Sequence, residues 1–395
     1  MVWIHGGAHV TGAGWIYNGE AFARDGVVFV AINYRLGALG YFAHPALTKA
    51  AGPDEPLGNY GQMDQIAALK WVKRNIAAFG GDPDNVTVAG ESAGAMSIAC
   101  LLASPAAVGL FRRAIVQSGH GSMVRTQAVA RRVVDTVAKH LGISADIDGF
   151  RGRSLAQCAG AVEAVTRPDV LIDLRDEEGR DPAYGLSRFL PVFDDDIIPE
   201  HPLEALRKGA GREVELLIGT TREEMNLYLV PTGVKQAITG SAATAMLGNS
   251  TPRAAQILHA YGMERGPRAG AVLCDAMTDL VFRLPARRFA AAHQGRTHLY
   301  EFDWRSPACN GELGACHGLE LPFVFKTLQT CTGAQGVVGT EPPHELAQRI
   351  HRIWVNAVAH GELNWPQFDT GRRQCMQLAA GTASEEAEML AAAFV

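Results

Sequence analysis

The sequence predicts an α/β protein with a mostly parallel central sheet. Continuous apolar runs such as Val27–Ile32 alternate with amphipathic segments such as Asn59–Ala78, which is the pattern of strands that are buried on both faces and joined by helices. One connection, Val86–Leu102, passes from an apolar strand through a glycine-flanked turn into a helix of small residues. The 43 glycines and the 47% of hydrophobic residues suit the tight core of such a fold.

Each further element is predicted from periodicity and from the residues that end it. The predicted strands are Val2–His5, Val27–Ile32, Val86–Ala89, Ala114–Gln117, Glu215–Gly219 and His298–Phe302, the last of the core sheet, and the clearest helices are Asn59–Ala78, Gln127–Leu141 and His344–His360. Between Gly121 and Arg212 the pattern loosens, and we expect an insertion there that covers the site.

The turn within Val86–Leu102 fits a nucleophile elbow. Its centre, Gly90-Glu-Ser-Ala-Gly94, has the Gly-x-Ser-x-Gly pattern, in which a strained turn presents a serine hydroxyl at the top of a sheet. The small neighbours let strand and helix approach, and the N–H of Ala93 would point from the first helical turn toward an oxyanion. Ser92 is therefore a candidate nucleophile. A plain glycine-flanked turn with a solvent-exposed serine is the alternative for these five residues in isolation.

Other motifs accompany the elbow in a fixed order. They are Trp3-Ile-His-Gly-Gly-Ala8, Asn33-Tyr-Arg-Leu-Gly37, Gly58-Asn-Tyr-Gly-Gln-Met-Asp-Gln65 and Ala114-Ile-Val-Gln-Ser-Gly119. This order resembles the type-B carboxylesterases, the family of bacterial para-nitrobenzyl esterases and cholinesterases. The resemblance is dense over residues 1–121 and returns around Gly219 and His317. It implies an α/β-hydrolase fold in one catalytic domain spanning residues 1–395, with helical insertions at about 121–212 and 225–295 forming a cap over the active site.

The catalytic acid is expected just after the end of a sheet strand. An α/β-hydrolase places its catalytic carboxylate there, and Glu215–Gly219 is followed by two glutamates. The family pattern assigns the role to Glu224. Because Met225 replaces the glycine usual in the family, Glu223 stays open as an alternative.

The resemblance also implies the base and the oxyanion donors. His317 is followed by Gly-x-Glu, as is the catalytic histidine of the family. By motif position, the N–H groups of Gly7 and Ala8 act with that of Ala93 as an oxyanion hole, and a plain glycine turn is the alternative. The resemblance further implies an ion pair between Arg35 and Asp64.

These residues predict a serine hydrolase that cleaves small carboxylic esters through an acyl-enzyme and needs no metal or organic cofactor. An apolar pocket would favour short acyl or aryl esters, although ordinary core packing explains its candidate residues equally well. Those candidates are Trp15, Met123, Phe193, Leu321 and Phe323.

Three other functions are compatible with the sequence. An amidase or carbamate hydrolase could use the same three residues, because pocket shape decides the leaving group. A non-catalytic cholinesterase-like binding protein would not need to keep Ser92. An inactive fragment is the third alternative, since the strand before the oxyanion loop is the third strand of the family's sheet but lies at Val2 here. The missing segment would leave Val27–Ile32 as an apolar edge strand, which is an aggregation liability.

Composition excludes several other classes. The net charge of -5 and the absence of a basic cluster disfavour nucleic-acid binding. No apolar run is long enough to span a membrane, and the start of the chain lacks the features of a signal peptide. We therefore expect a cytoplasmic protein, unless a targeting segment lies upstream. The oligomeric state does not follow from the sequence.

Cysteine and metal-ligand spacings add little. Seven cysteines without a CxxC pair indicate a reducing compartment. Cys309 and Cys316 flank one short loop, and two free thiols are favoured over a disulfide. His5 and His9 lack a third metal ligand, and the acidic run Asp194–Asp196 is expected to be solvated. No metal site is predicted.

Overall fold

The protein is built around one sheet, seen in a computed structural model that describes residues 1–50, 58–167, 169–266 and 268–395. Within these ranges the sheet has eight strands in the order β2-β1-β3-β4-β5-β6-β7-β8. All pairs are parallel except β7 with β8. The strands are β1 (Val2–Ile4), β2 (Val30–Ile32), β3 (Thr87–Glu91), β4 (Arg113–Gln117), β5 (Glu215–Thr221), β6 (Thr297–Phe302), β7 (Gln374–Gln377) and β8 (Thr382–Glu385).

Helices connect these strands and cover both faces of the sheet. The α-helices are α1 (Glu20–Arg24), α2 (Gly37–Gly40), α3 (Pro45–Ala50), α4 (Tyr60–Asn75), α5 (Ala93–Ala103), α6 (Gln127–Leu141), α7 (Ile147–Arg151), α8 (Leu155–Thr166), α9 (Pro202–Arg207), α10 (Asn226–Leu229), α11 (Val234–Ala237), α12 (Gly240–Gly248), α13 (Ala254–Ala260), α14 (Ala269–Thr278), α15 (Leu284–Ala292), α16 (Leu321–Val324) and α17 (His344–His360). Short 3-10 helices lie at Gly14–Ile16, Ile76–Phe79, Pro105–Ala107, Cys309–Gly311, Leu328–Thr330 and Leu390–Phe394. In the described part, no helix is long and apolar enough to cross a membrane.

The predicted parallel α/β sheet is confirmed, with two corrections. The strand expected over Val27–Ile32 is shorter, because only Val30–Ile32 pairs with β1 while the N–H of Val27 bonds back to Phe22 at the end of α1. The strand at His298–Phe302 is not the last, since β7 pairs with β6 and β8 continues the sheet. β8 was not predicted, because all four of its residues are exposed and they lack the apolar pattern of a buried strand.

The hydrophobic core lies on both sides of the sheet. One cluster packs α4, α5 and α6 against one face, with Leu69, Ile98 and Val133 among its buried members. A second cluster packs α16 and α17 against the other face, around residues such as Trp354. The carboxyl ends of the parallel strands therefore meet at one edge, where loops can bring polar side chains together.

Two long connections carry most of the remaining helices. Helices α6–α9 lie between β4 and β5, and α10–α15 lie between β5 and β6. The second connection has a hydrophobic cluster of its own, which includes Leu247, Ile257, Val272 and Met277. The sequence predicts insertions over about 121–212 and 225–295, within these two connections.

Two smaller expectations concern side-chain pairs. The ion pair between Arg35 and Asp64 is confirmed, with guanidinium–carboxylate contacts of 2.8 Å to both oxygens. Cys309 and Cys316 are free thiols, as the sequence favoured.

Candidate active site

Ser92 lies on a strained turn between β3 and α5. Its φ of 56° and ψ of −125° are sparsely populated for a residue with a side chain, and such a conformation costs about 1–3 kcal/mol. Glycines make the turn possible, because a Cβ on Gly94 would lie 2.0 Å from the carbonyl oxygen of Ile4 and one on Gly90 would lie 2.6 Å from it. The N–H of Ser92 donates to the carbonyl of Gln117. The predicted elbow is therefore present in its structural context.

The loop after β1 lies directly against this turn. A Cβ on Gly6 would lie 3.1 Å from the Cβ of Ser92. Gly7 and Ala8 have φ values of 113° and 54°, which turns the backbone so that Gly7 accepts two hydrogen bonds through its carbonyl while the N–H groups stay outside the turn. Within the described residues, the N–H groups of Gly7, Ala8 and Ala93 donate to no protein group. Three unpaired donors beside a serine can hold an oxyanion.

Two further contacts fix this loop. The buried ring of His9 lies 3.3 Å from the hydroxyl of Ser97 on α5. The hydroxyl of Ser187, from the first long connection, donates to the carbonyl of Ala8 at 2.7 Å. The loop is thus tied both to α5 and to the first long connection.

The imidazole of His317 is held by Glu224. Its Nδ1 lies 2.6 Å from Oε2 of Glu224, a side chain with no solvent exposure. The other carboxylate oxygen accepts from the hydroxyl of Ser118 at 2.7 Å and from the N–H of Thr221 at 2.8 Å. Both oxygens of the buried carboxylate are therefore satisfied, and the imidazole is fixed in one orientation.

Glu223 points away from the imidazole. Its carboxylate pairs with Arg305 at 2.5 Å and accepts from the N–H of Ala315 at 2.9 Å. The geometry thus favours Glu224 over Glu223 as the partner of His317. The sequence alone allowed either glutamate, because Met225 replaces the glycine that is usual in the family.

The opposite nitrogen of His317 faces a second carboxylate. Nε2 lies 3.0 Å from Oε1 of Glu91, although the two atoms are not aligned as a hydrogen bond. Glu91 immediately precedes Ser92, so the imidazole reaches the elbow. Within the described chain, the hydroxyl of Ser92 makes no hydrogen bond. Catalytic hydrogen bonds are often long or misaligned in the free enzyme and tighten with substrate.

Buried charges shift the pKa values of this cluster. Burial alone would lower the pKa of His317, but the carboxylates of Glu91 and Glu224 outweigh it and raise this pKa to about 9. Burial raises the pKa of Glu91, with His317 opposing and Glu224 adding to the rise. Burial, followed by Glu91 and Glu224, also raises the pKa of Glu320. Three acids and one imidazole therefore share a site that is closed to solvent.

A short hydrogen-bond chain supports these acids. The amide of Gln117 donates to Glu320 at 3.0 Å and accepts from the indole of Trp354 at 2.8 Å. Sequence reasoning did not assign roles to Glu91 or Glu320, although both lie inside the quoted motifs. Ser118, which donates to Glu224, lies inside the motif Ala114–Gly119.

Aromatic rings from the second long connection contact His317. The ring centroid of Phe282 lies 4.8 Å from that of the imidazole, and that of Tyr228 lies 5.6 Å away. Phe282 belongs to a π-helical turn, Asp279–Arg283, between α14 and α15. Such turns are frequent at functional sites. Neither ring was predicted, because nothing in the sequence indicates which residues of an insertion face the site.

The five predicted pocket residues are scattered. Trp15 is 82% exposed, whereas Phe323 is fully buried against Phe302 and Trp304. Met123 belongs to the core of the second long connection, and Phe193 packs near Val124 and Ile198. Leu321 alone lies near the acids, because a Cβ on Gly318 would contact both it and Glu91. Core packing, the alternative weighed for these residues, fits Met123 and Phe323.

The parallel sheet and the serine elbow between β3 and α5 define an α/β-hydrolase. The chain belongs to the carboxylesterase family, whose model matches residues 1–393. It is 38% identical over 393 residues to the para-nitrobenzyl esterase of Bacillus subtilis (strain 168), an alignment that covers 96% of this chain and 75% of that protein.

Other similar proteins agree with this membership. The cocaine esterase of Homo sapiens is 31% identical over 410 residues, which cover 96% of this chain and 68% of that protein. A solved PNB esterase structure matches with a TM-score of 0.79 at 34% identity, and the match covers 98% of this chain and 79% of that one. The protein is therefore a serine hydrolase of carboxylic esters, and the predicted function and fold class are confirmed.

Proposed function

We propose that Ser92, His317 and Glu224 are the nucleophile, base and acid of this esterase, and that Gly7, Ala8 and Ala93 provide its oxyanion hole. One observation carries the proposal. The Glu224-bound imidazole reaches Glu91, the residue before Ser92 on the strained turn.

The reaction follows from these positions. Ser92 attacks the ester carbonyl while Nε2 of His317 takes the hydroxyl proton, and Glu224 stabilises the imidazolium through Nδ1. The carbonyl oxygen becomes an oxyanion that accepts from the three N–H groups, each worth about 10²- to 10³-fold in kcat. His317 then returns the proton to the leaving alcohol. Water, deprotonated by His317, attacks the acyl-enzyme and releases the acid and free Ser92.

We also propose that the insertions at about 121–212 and 225–295 form the cap of this site. Support comes from one contact of each with the catalytic groups. Ser187 of the first insertion bonds to Ala8, and Phe282 of the second packs on His317. The ring of Phe282 would exclude water from one face of the imidazole and so strengthen its electrostatic interactions.

Short acyl or aryl esters are the proposed substrates. With para-nitrophenyl butyrate, we expect a burst of nitrophenol stoichiometric with enzyme, followed by slower turnover, because the good leaving group makes acylation faster than deacylation. We expect butyryl para-nitroanilide to react far more slowly, because its amine is the poorer leaving group. An anilide rate equal to the ester rate would favour the amidase alternative. Absence of any ester turnover would contradict the proposal.

The buried carboxylate of Glu91 predicts a pH dependence. Because His317 must be neutral to accept a proton and its pKa is raised to about 9, kcat/KM should rise with pH and level off above that value. In Glu91→Gln one neighbouring negative charge is lost, so the pKa of His317 falls. The acid limb should then move down by about 1–3 pH units.

This shift is measured as kcat/KM against pH for both proteins, with circular dichroism at each pH as the control for folding. Asp64→Asn, which removes the carboxylate on α4 that pairs with Arg35, serves as the matched variant and should leave the acid limb in place. An unchanged limb in Glu91→Gln would show that Glu91 does not control the protonation of His317.

A further inference from the structure

The carboxylate and the backbone N–H of Glu223 both form hydrogen bonds with the same neighbouring loop. We infer that Glu223 is a positioning residue that clamps the base loop, residues 313–318, to the acid turn, residues 221–226. This inference rests on the proposed role of His317 as base. It gives the glutamate beside the acid a separate role in the same reaction.

Three hydrogen bonds join the two segments, two between main-chain groups and one from a main-chain N–H to the Glu223 carboxylate. The N–H of Glu223 donates to the carbonyl of Ala315 at 2.8 Å, and the N–H of Ala315 donates back to Oε2 of Glu223 at 2.9 Å. Two residues further on, the N–H of His317 donates to the carbonyl of Glu224 at 3.2 Å. Two of the three bonds join Glu223 to Ala315, only two residues before the imidazole, and the one that Ala315 donates depends on the Glu223 side chain.

The base loop is shaped around the carboxylate. Gly314 has a φ of +57°, and a Cβ there would lie 2.3 Å from Oε2 of Glu223. A side chain at this position would therefore displace the carboxylate from the N–H of Ala315. The carbonyl of Gly314 accepts from Ser306, so the loop is held from its outer side as well.

The second carboxylate oxygen anchors Glu223 itself. Oε1 pairs with Arg305, whose side chain is 56% exposed, while the Glu223 side chain is only 17% exposed. An exposed guanidinium adds little by charge alone. The contact that matters for the base loop is thus the bond to Ala315, which an uncharged acceptor of the same length could also make.

The clamp matters because the imidazole must meet both Glu224 and the elbow. A displacement of about 1 Å at a catalytic group can cost about 10²-fold in rate. Loss of the bond to Ala315 should therefore lower kcat without weakening substrate binding, since the contacts of the Glu223 carboxylate are with Arg305, Ala315 and Asn226 and not with the elbow or the oxyanion loop.

The test compares Glu223→Met, which keeps length but cannot accept a hydrogen bond, with Glu223→Gln, which can. Arg305→Ala is the control that removes the ion pair, together with a long hydrogen bond of 3.4 Å to the carbonyl of Gly311, and leaves the Glu223 carboxylate in place. We expect Glu223→Met to lose about 10- to 100-fold in kcat at a nearly unchanged KM. Glu223→Gln and Arg305→Ala should stay within about fivefold of wild type. The rate of fluorophosphonate labelling per folded molecule should fall in parallel with kcat.

Two outcomes would overturn the clamp: Glu223→Met matching Arg305→Ala, or Glu223→Gln losing as much kcat as Glu223→Met. Should Glu223→Met not fold, Glu223→Ala decides, because it also removes the acceptor for the N–H of Ala315 and should lower kcat by about tenfold or more. Wild-type kcat in Glu223→Ala would then contradict the clamp. Ser92→Ala is assayed alongside; if it remains active, the proposed catalytic assignment fails, whereas an inactive Ser92→Ala leaves the clamp to be judged by its own variants.

Discussion

Ser92→Ala is expected to lose about 10⁶-fold in kcat for para-nitrophenyl butyrate and all covalent labelling by a fluorophosphonate. No other group in the described site is placed to form the acyl bond, while the backbone donors of Gly7, Ala8 and Ala93 remain. Residual turnover should therefore exceed that in water but show no burst. The circular dichroism spectrum should be unchanged, because the hydroxyl of Ser92 makes no hydrogen bond in the described chain.

Ser104→Ala provides the matched control. Ser104 follows the end of α5, the helix that begins at the elbow, and its buried hydroxyl has no hydrogen-bond partner among the described residues. We expect this variant to be labelled and to turn over like wild type. Labelling that persists in Ser92→Ala would assign the nucleophile to another residue.

Glu224→Gln is expected to have the second largest effect, a loss of about 10⁴-fold in kcat. Glutamine is of nearly equal size but carries no charge to stabilise the imidazolium. Its amide can also donate to Nδ1, which would favour the tautomer that carries the proton on Nε2 and cannot accept one from Ser92. KM should change little, because Glu224 is fully buried behind the imidazole.

Glu223→Gln is the neighbouring control for this experiment. The two substitutions make the same chemical change one residue apart, yet only Glu224 contacts His317. A larger loss in Glu223→Gln than in Glu224→Gln would reverse the assignment of the acid. Comparable Tm values for the two variants would ensure that the difference is catalytic.

Local motifs account for what the sequence predicted well. The elbow at Ser92 depends on close backbone contacts of Gly90 and Gly94, and glycine at those positions can be recognised without knowing the fold. The helices Gln127–Leu141 and His344–His360 were predicted at their observed bounds. Each has strong helical periodicity, and α6 is followed by a glycine in the left-handed region.

Contacts between distant segments account for what was missed. The extent of β2 is set by its register with β1, and β8 is a strand only because β7 is beside it. The approach of Glu91 to Nε2 of His317 likewise depends on two segments more than two hundred residues apart in the chain. A family motif marks such residues but does not give their distances.

The pocket predictions show a different limit. Apolar residues near motif positions were candidates for substrate contact, yet Phe323 packs on Phe302, while Phe282, far from every motif, lies on the imidazole. Hydrophobicity indicates burial but not whether the burying partner is protein or ligand.

The π-helical turn at Asp279–Arg283 contains one more residue than an α-helical turn, and this extra residue determines which way the side chain of Phe282 points. Between Ala269 and Ala292 the backbone is one continuous helical rod with a single widened turn. Deleting one residue upstream within that rod would narrow the turn and swing Phe282 about 100° around the axis. Insertions and deletions in this rod, more than substitutions, would therefore be the changes that move the aromatic ring packed on the imidazole.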